Sequence, residues 1–164
     1  MLQGGAMERL NAILRDPFFQ ENIRRTNERE KDRIFCRHGL DHLVDAARVL
    51  YILALEEGLE VSKETAYTAA FLHDLGRWVE YDTGRDHAEA SAELSIGLLD
   101  GHGFSGNEKE TILLAIRGHR VKGAEGILTD AMYRADKLSR PCTTCPSLAQ
   151  CKRFGSKEKA EIEY

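Results

Sequence analysis

The chain has neither a strong excess of charge nor a long apolar run. Its 23 basic and 27 acidic residues give a formal net charge of −4, which argues against a dominant nucleic-acid surface but not against a small anionic substrate at a metal. The longest apolar run, AARVLYILAL, is too short to cross a bilayer. The first residues, MLQGGAMERL, lack the basic start and apolar stretch of a secretory signal. We therefore expect a cytoplasmic protein with neither membrane nor nucleic-acid partners.

Strand-like alternation, internal repeats and low-complexity linkers are also missing from the sequence. Apolar residues recur instead at helical spacing, as at Leu43, Ala46 and Leu50, which predicts helices with one buried face. The pattern favours an all-α fold, a single compact helical domain of about six or seven helices. We divide it into an N-terminal helical extension (1–32), a core (33–140) and a Cys-containing C-terminal segment and tail (141–164).

Several helix ends carry recognisable signals. Asp16 stands directly before Pro17, and Ser62 and Ser105 each precede a helical pattern, so all three positions have the residue types of helix N-caps. Gly58 follows one apolar stripe and is expected to end that helix.

Histidine and aspartate recur along these helices in the order H…HD…H…H…D. The residues are His42, His73, Asp74, His87, His119 and Asp136. Imidazole and carboxylate ligands together suit Mn, Fe, Co, Ni or Zn, whereas Ca and Mg prefer oxygen alone. Near a helix end, the adjacent His73 and Asp74 could flank one metal while the free carboxylate oxygen of Asp74 faces a second. For this dipeptide alone, a simple His–Asp hydrogen bond is the alternative.

The ordered set resembles the HD superfamily of metal-dependent phosphohydrolases over roughly residues 33 to 140. His42 with small residues after it, the His73-Asp74 pair and Asp136 match the family's four ligands. The resemblance implies an all-α phosphohydrolase that uses one or two divalent transition-metal ions and metal-activated hydroxide. It implies a phosphomonoesterase or phosphodiesterase acting on a nucleotide or another small phosphorylated metabolite. Self-association into a homo-oligomer stays open.

Two further histidines look like those of the superfamily's binuclear branch, in which His87 and His119 would hold a second metal. Their alternative is a hydrogen bond from a helix end to backbone. RVKGAEG follows His119, with neither a second histidine nor a GYP triplet, so cyclic-di-GMP is a poor substrate candidate. His38 lies four residues before His42 on the same helical face. It could be a further ligand, a group that supports the ligands or a substrate contact. It could also replace His42 as the first ligand, although the apolar stripe favours His42.

Charge on phosphoryl oxygens calls for nearby cations. We predict Asp74, Arg77 and Lys137 as catalytic residues, with Arg85, Arg117 and Arg120 as weaker candidates, each of which could equally be a solvated surface charge. Trp78 and Tyr81 could stack a base or merely pack. The alternative functions are a nucleotide-binding regulatory HD domain without hydrolysis and a redox- or metal-responsive protein.

The second alternative depends on the four cysteines. Cys142, Cys145 and Cys151 follow Asp136 closely, and Cys36 precedes His38. Together they could form a structural Zn or iron–sulfur site. Reduced thiols in a turn-rich segment are the simpler interpretation.

Overall fold

A computed structural model describes residues 6–154 and 159–164. These residues contain eight α-helices and two short 3-10 turns, and no strand. The helices are α1 (Glu8–Arg15), α2 (Pro17–Glu30), α3 (Leu40–Glu56), α4 (Lys63–Leu72), α5 (Arg77–Thr83), α6 (His87–Gly101), α7 (Gly106–Gly118) and α8 (Thr129–Leu138), and the 3-10 turns are Cys142–Thr144 and Leu148–Gln150. The predicted all-α class is confirmed. The helices outnumber the expected six or seven because α1 and α5 were not predicted.

The N-caps lie where the sequence places them. The Asp16 side chain accepts a hydrogen bond from the backbone of Phe18 at 2.8 Å, with Pro17 as the first helical residue. Ser62 accepts one from the Thr65 backbone at 3.1 Å. Ser105 forms a full capping box with Glu108, in which each side chain accepts from the other's backbone N–H. These local bonds fix the starts of α2, α4 and α7.

The core is built around α3, α4, α7 and α8, which pack against one another. Their apolar faces bury Leu43, Leu50, Leu72, Ile116 and Met132 completely. The first two helices join the same core, because Leu10, Ile13 and Phe19 are buried in it. The N-terminal helices are thus packed on the domain. The boundary at residue 32 stays a prediction.

Gly76 lies in the turn that follows His73-Asp74, and its φ of −93° is outside the left-handed region. A Cβ at this position would lie 2.6 Å from the backbone N of Ser91, and the Gly76 N–H donates to Ser91 Oγ at 2.8 Å. Glycine is required because the backbones of the α4–α5 turn and α6 touch.

No helix within the described part of the chain combines the length and apolar character needed to cross a membrane.

Candidate metal centre

Five helices deliver the histidines and aspartates to one point. His42 lies in the first turn of α3, His73 and Asp74 directly follow α4, and His87 begins α6. His119 directly follows α7, and Asp136 lies in α8. All but Asp136 are buried, and the Asp136 side chain is 21% exposed. Helix ends carry most of the site because residues there leave the regular helical phase and can turn inward together.

The first ligand group comprises His42, His73, Asp74 and Asp136, which offer ligand atoms within 4.8 Å of one another. His42 Nε2 lies 3.1 Å from Asp136 Oδ1 and 3.8 Å from Asp74 Oδ2. His73 Nε2 lies 2.9 Å from Asp74 Oδ2. The group combines two imidazoles and two carboxylates, a donor set that suits a first-row transition metal.

The second group shares Asp74 with the first and adds His87 and His119. Asp74 presents its other oxygen here: Oδ1 lies 3.3 Å from His87 Nε2 and 3.7 Å from His119 Nε2. The two oxygens of one carboxylate therefore face two groups. The adjacent pair at the helix end has the arrangement expected of it, although metal binding itself stays a prediction.

Unpartnered nitrogen atoms provide a test of whether a cation fits. Among the described residues, both ring nitrogens of His42 and Nε2 of His73 are buried without a hydrogen-bond partner, because the nearby carboxylate oxygens of Asp136 and Asp74 lie outside hydrogen-bond geometry. Nδ1 of His73 lies 2.6 Å from the Ala70 carbonyl oxygen and donates there, so Nε2 is the nitrogen that a metal ion would bind in place of a proton. Buried polar atoms are rarely left unsatisfied. A metal ion would satisfy both Nε2 atoms.

For the second group, the same test depends on which nitrogen of His87 carries the proton. Nδ1 of His119 donates to the Ile116 carbonyl oxygen at 2.6 Å. Nδ1 of His87 faces Glu80 Oε2 at 2.8 Å and Arg77 at 2.7 Å. Arg77 can only donate, so Nδ1 of His87 either accepts from Arg77 or donates to Glu80. In the tautomer that donates to Glu80, the Nε2 atoms of His87 and His119 face each other as lone pairs at 3.1 Å, and a cation between them would satisfy both.

The pKa values of the buried imidazoles reflect burial and the two carboxylates. Burial lowers the pKa of His42 and of His119 to about 4, so both rings are neutral near pH 7, as metal ligands must be. Burial also opposes charge on His73, but Asp74 and Asp136 outweigh it and raise its pKa to about 10. The negative field that attracts a proton to His73 would equally attract a metal ion.

His38 lies outside both ligand groups. Its backbone N–H donates to Glu30 Oε2 at 2.7 Å, and its Nδ1 also binds the Glu30 carboxylate. Its Nε2 lies 4.0 Å from Asp74 Oδ2. The geometry thus favours His42 as the first ligand and makes His38 a neighbour of the centre.

The two predicted catalytic cations lie at the edge of the centre. Arg77 contacts His87 Nδ1 and Glu80 and donates to Tyr81 Oη at 3.2 Å. Lys137 Nζ lies 3.5 Å from Asp136 Oδ2 and 3.9 Å from the centroid of the Tyr133 ring. Their catalytic roles stay predictions.

The weaker candidates have partners away from the ligand atoms. Arg85 pairs with Glu93, and Arg117 pairs with Glu89 at 3.3 Å. Arg120 lies 2.5 Å from Asp86 and 3.3 Å from Glu80, the carboxylate that faces His87. The Trp78 indole donates to Asn22 at 2.7 Å, and the Tyr81 hydroxyl donates to Glu30 at 2.6 Å. Both aromatic residues thus use their polar atoms within the fold.

Three residues of the centre were missed in the sequence. Glu30 is 1% exposed and supports His38, and Glu80 supports His87. Arg140 has a 13% exposed side chain 4.0 Å from Asp136 Oδ1. Arg140 lies four residues after Asp136, so helical spacing could have identified it. Glu30 and Glu80 offer no such local signal.

A groove of about 1090 Å³ leads to the first ligand group. Its lining includes His42, Arg37, Arg140 and Phe35. It also includes Cys36, Cys142 and Cys145, so the cysteines adjoin the centre rather than form part of it.

These helices and shared ligand groups define a helical protein with a candidate binuclear metal centre, and comparison with known proteins identifies its family. A family model described as HD domain matches residues 39–141. The chain belongs to the HD-domain family, as His42, His73-Asp74 and Asp136 suggested. It is 40% identical over 158 residues to an uncharacterized protein of Clostridium beijerinckii, covering 96% of this chain and all of that protein.

A solved structure provides a further likeness. The crystal structure of a predicted HD superfamily hydrolase from an uncultured Thermotogales bacterium superposes with a TM-score of 0.57 at 30% identity. The match covers 79% of this chain and 72% of that one.

Proposed function

We propose that the chain is a metal-dependent phosphohydrolase that cleaves a phosphomonoester or phosphodiester of a small metabolite, with a nucleotide as the favoured substrate. The observation that carries the proposal is Asp74, whose two carboxylate oxygens face two separate groups of ligand atoms. Two adjacent metal positions can clamp a phosphoryl group from both sides. Bound divalent ions would supply an activated water near neutral pH and positive charge for the phosphoryl oxygens.

The chain's own residues would orient the ligands. The carbonyl oxygens of Ala70 and Ile116 and the carboxylate of Glu80 hold the Nδ1 protons of His73, His119 and His87. Each ring consequently turns its Nε2 lone pair toward the centre. Burial of these rings excludes bulk water, which strengthens the interaction of the site with a charged phosphate.

The groove supports a nucleotide as the substrate. Its volume of about 1090 Å³ exceeds what a lone phosphate needs and is close to the upper limit for small-molecule sites. Arg37 and Arg140 bring positive charge to its lining, and Phe35 is an aromatic residue there with 39% exposure. Phosphate oxygens and a nucleobase are the groups that such side chains would contact.

The test is a screen of phosphomonoesters and phosphodiesters, nucleotides included, with Mn or Co present. We expect turnover that a chelator abolishes and that added metal restores. Asp74→Ala should remove turnover, because one substitution disrupts both ligand groups. Asp100→Ala should retain it, since the Asp100 side chain is 52% exposed and pairs with Lys109 on the surface.

Two outcomes would favour other functions. Tight nucleotide binding without turnover under any of the metals would indicate a regulatory HD domain. Turnover that is unaffected by Asp74→Ala would place the chemistry elsewhere in the chain, with the cysteines as the next candidates.

A further inference from the structure

The four cysteines, which are far apart in sequence, meet in one region of the structure. Cys36 lies in the loop between α2 and α3, and the other three lie after α8. Two hydrogen bonds dock these segments together: Ser147 Oγ donates to the Ile34 carbonyl oxygen at 2.6 Å, and Arg140 donates to that of Arg37 at 2.5 Å. Cys36, Cys142 and Cys145 consequently line the same groove.

Local turns gather the three C-terminal cysteines. The backbone N–H of Cys145 donates to the Cys142 carbonyl at 3.2 Å, and that of Leu148 donates to Cys145 at 3.2 Å. The Cys151 N–H then donates to Leu148 at 3.1 Å. Each cysteine therefore stands at the start or the end of a tight three-residue turn, and the short turns keep the three cysteines within one compact segment.

This folded segment has no apolar core of its own. Between residues 139 and 151, Ser147 is the buried residue, and the remaining residues are exposed or half-buried. Short segments without a hydrophobic core usually depend on a disulfide or a metal. All four cysteines are free thiols. A metal-based cross-link between Cys36 and the C-terminal cysteines would supply the missing stabilisation.

The four thiols lie close enough to influence one another electrostatically. Burial raises the pKa of the Cys142 thiol, and Arg153 opposes that rise. Negative charge on Cys36, Cys145 and Cys151 raises it further. Four thiolates in this region would repel one another unless a cationic centre lay between them.

The sulfur spacing decides between zinc and a larger centre. Within the described part of the chain, the groups whose ligand atoms lie within 4.8 Å of one another are the two His/Asp groups, and the cysteines form no such group. Four thiolates around one zinc ion, with Zn–S bonds of about 2.3 Å, would stand roughly 4 Å apart. In every trio of these cysteines at least one sulfur pair is therefore more than 4.8 Å apart, a wider spacing than a single zinc ion requires, which favours a larger multi-iron centre.

We infer that Cys36, Cys142, Cys145 and Cys151 are the four ligands of an iron–sulfur cluster that ties the C-terminal segment to the loop before α3. Four thiolates are the usual ligand set of such clusters. The positive charges of Arg140 and Arg153, on the segment that carries the cysteines, would offset part of the negative charge of a thiolate-bound cluster. Arg140 links this region to the metal centre, because it lies beside Asp136 and two residues before Cys142.

The experiment measures iron and acid-labile sulfide in protein purified without oxygen from cells supplied with iron. Wild-type protein should contain sulfide and show the visible absorption of a thiolate-bound cluster. Asp74→Ala, which disrupts both His/Asp groups, should keep its sulfide, so cluster iron is distinguished from iron at the HD centre. Cys36→Ser should lose sulfide and visible absorption together, whereas the matched control Thr143→Ser, within the Cys142–Cys145 turn, should retain both.

Reconstitution guards against a variant that fails to fold. Wild-type apoprotein with native helical circular dichroism is incubated with iron and sulfide under reducing conditions, and it should regain the cluster. Bound zinc without sulfide would overturn the inference, as would four freely reactive thiols that take up no sulfide on reconstitution. Full sulfide content in folded Cys36→Ser would equally overturn the four-ligand assignment.

Discussion

Asp74 is the residue through which the His73-Asp74 motif contributes to both ligand groups. On a regular helix, adjacent side chains diverge by about 100°, but α4 ends at Leu72 and Asp74 lies beyond it. Its Oδ2 therefore reaches His73 and His42, while its Oδ1 reaches His87 and His119. Favourable interactions with His73, His38 and His87 outweigh burial and hold the pKa of Asp74 well below its usual range, so the carboxylate is ionised near neutral pH.

The hydrogen bond between Glu80 and His87 leads to the first prediction. Replacing Glu80 with Gln keeps the size of the side chain but removes the charge that orients His87. Changes to such outer partners typically lower metal affinity by about 10–100-fold. We expect the metal affinity of the group formed by Asp74, His87 and His119 to fall by this factor. The metal affinity of the other ligand group should change little.

Calorimetric titration with Mn of the metal-free protein measures both affinities. Glu89→Gln is the matched control, because Glu89 lies on α6 and pairs with Arg117 at the surface. Two unchanged affinities in Glu80→Gln would show that Glu80 does not support a second metal position.

Gly76 leads to a second prediction, on stability. The added methyl of Gly76→Ala would lie 2.6 Å from the backbone N and 2.7 Å from the backbone C of α6 residues. Backbone cannot move aside as a side chain can, so we expect a loss of about 1–3 kcal/mol in the free energy of unfolding.

Urea denaturation measures this change against Gly97→Ala. Gly97 lies inside α6, and a Cβ added to it would have no atom within 4 Å, so alanine there should stabilise the helix by about 0.5–1 kcal/mol. Equal effects of the two substitutions would contradict the close approach at Gly76.

At the level of helices, the sequence predicted those helix starts that are fixed by hydrogen bonds between neighbouring residues. The N-caps at Asp16, Ser62 and Ser105 each act within three residues, so their side chains reveal the helix starts. Helix α1 was missed because Met7 at its N-cap provides no side-chain hydrogen bond. A residue 55 positions away substitutes for it: Glu64 Oε1 accepts from the Arg9 backbone at 2.8 Å.

Some residues of the candidate site can likewise be predicted from the sequence, and others cannot. Its ligand types and their order are visible in the sequence as His42, His73-Asp74 and Asp136. Glu30 and Glu80 could not be identified from the sequence. Glu30 contacts His38 and Tyr81, and Glu80 contacts His87, through loops and helix packing rather than through helical periodicity. Residues that act through long-range contacts need the assembled structure.

The Arg9 network provides the prediction for the docking of α1. Arg9 forms two hydrogen bonds with Glu108, at 2.8 and 2.9 Å, and one with Glu64 at 2.9 Å. We expect Arg9→Met to lower the free energy of unfolding by about 1–2 kcal/mol. The loss is smaller than the sum expected for three buried hydrogen bonds to charged groups, because solvent screens part of the network. Arg24→Met is the control, since its 60% exposed side chain should contribute little.

This effect should depend on pH. The interaction with Arg9 lowers the pKa of Glu108 from 4.5 to about 2. A lowered folded-state pKa stabilises the protein fully above 4.5, and that stabilisation is lost as the pH falls toward 2. Denaturation curves of wild type and Arg9→Met should therefore converge in acid. A constant difference between them down to pH 2 would contradict the role of the ion pair.

For the whole molecule, the decisive feature is that α3, α4, α6, α7 and α8 all meet at the metal centre. A ligand that binds only the folded state stabilises the entire domain. At about 100 times its dissociation constant, a bound cation should add roughly 2.7 kcal/mol to the free energy of unfolding. For a chain of this length, we expect Mn to raise Tm by roughly 5–10 °C.

Thermal denaturation with and without Mn measures this shift, and a chelator should reverse it. Asp74→Asn should abolish the response, because it removes the charged oxygens that both groups share. Asp100→Asn, at the exposed end of α6, should keep the full response. In the described part of the chain, the five helices meet around buried imidazole nitrogens of His42 and His73 that have no hydrogen-bond partner, so the cation would stabilise their packing as well as the site. A Tm that is insensitive to Mn, Fe, Co, Ni and Zn alike would mean that these helix ends hold no cation.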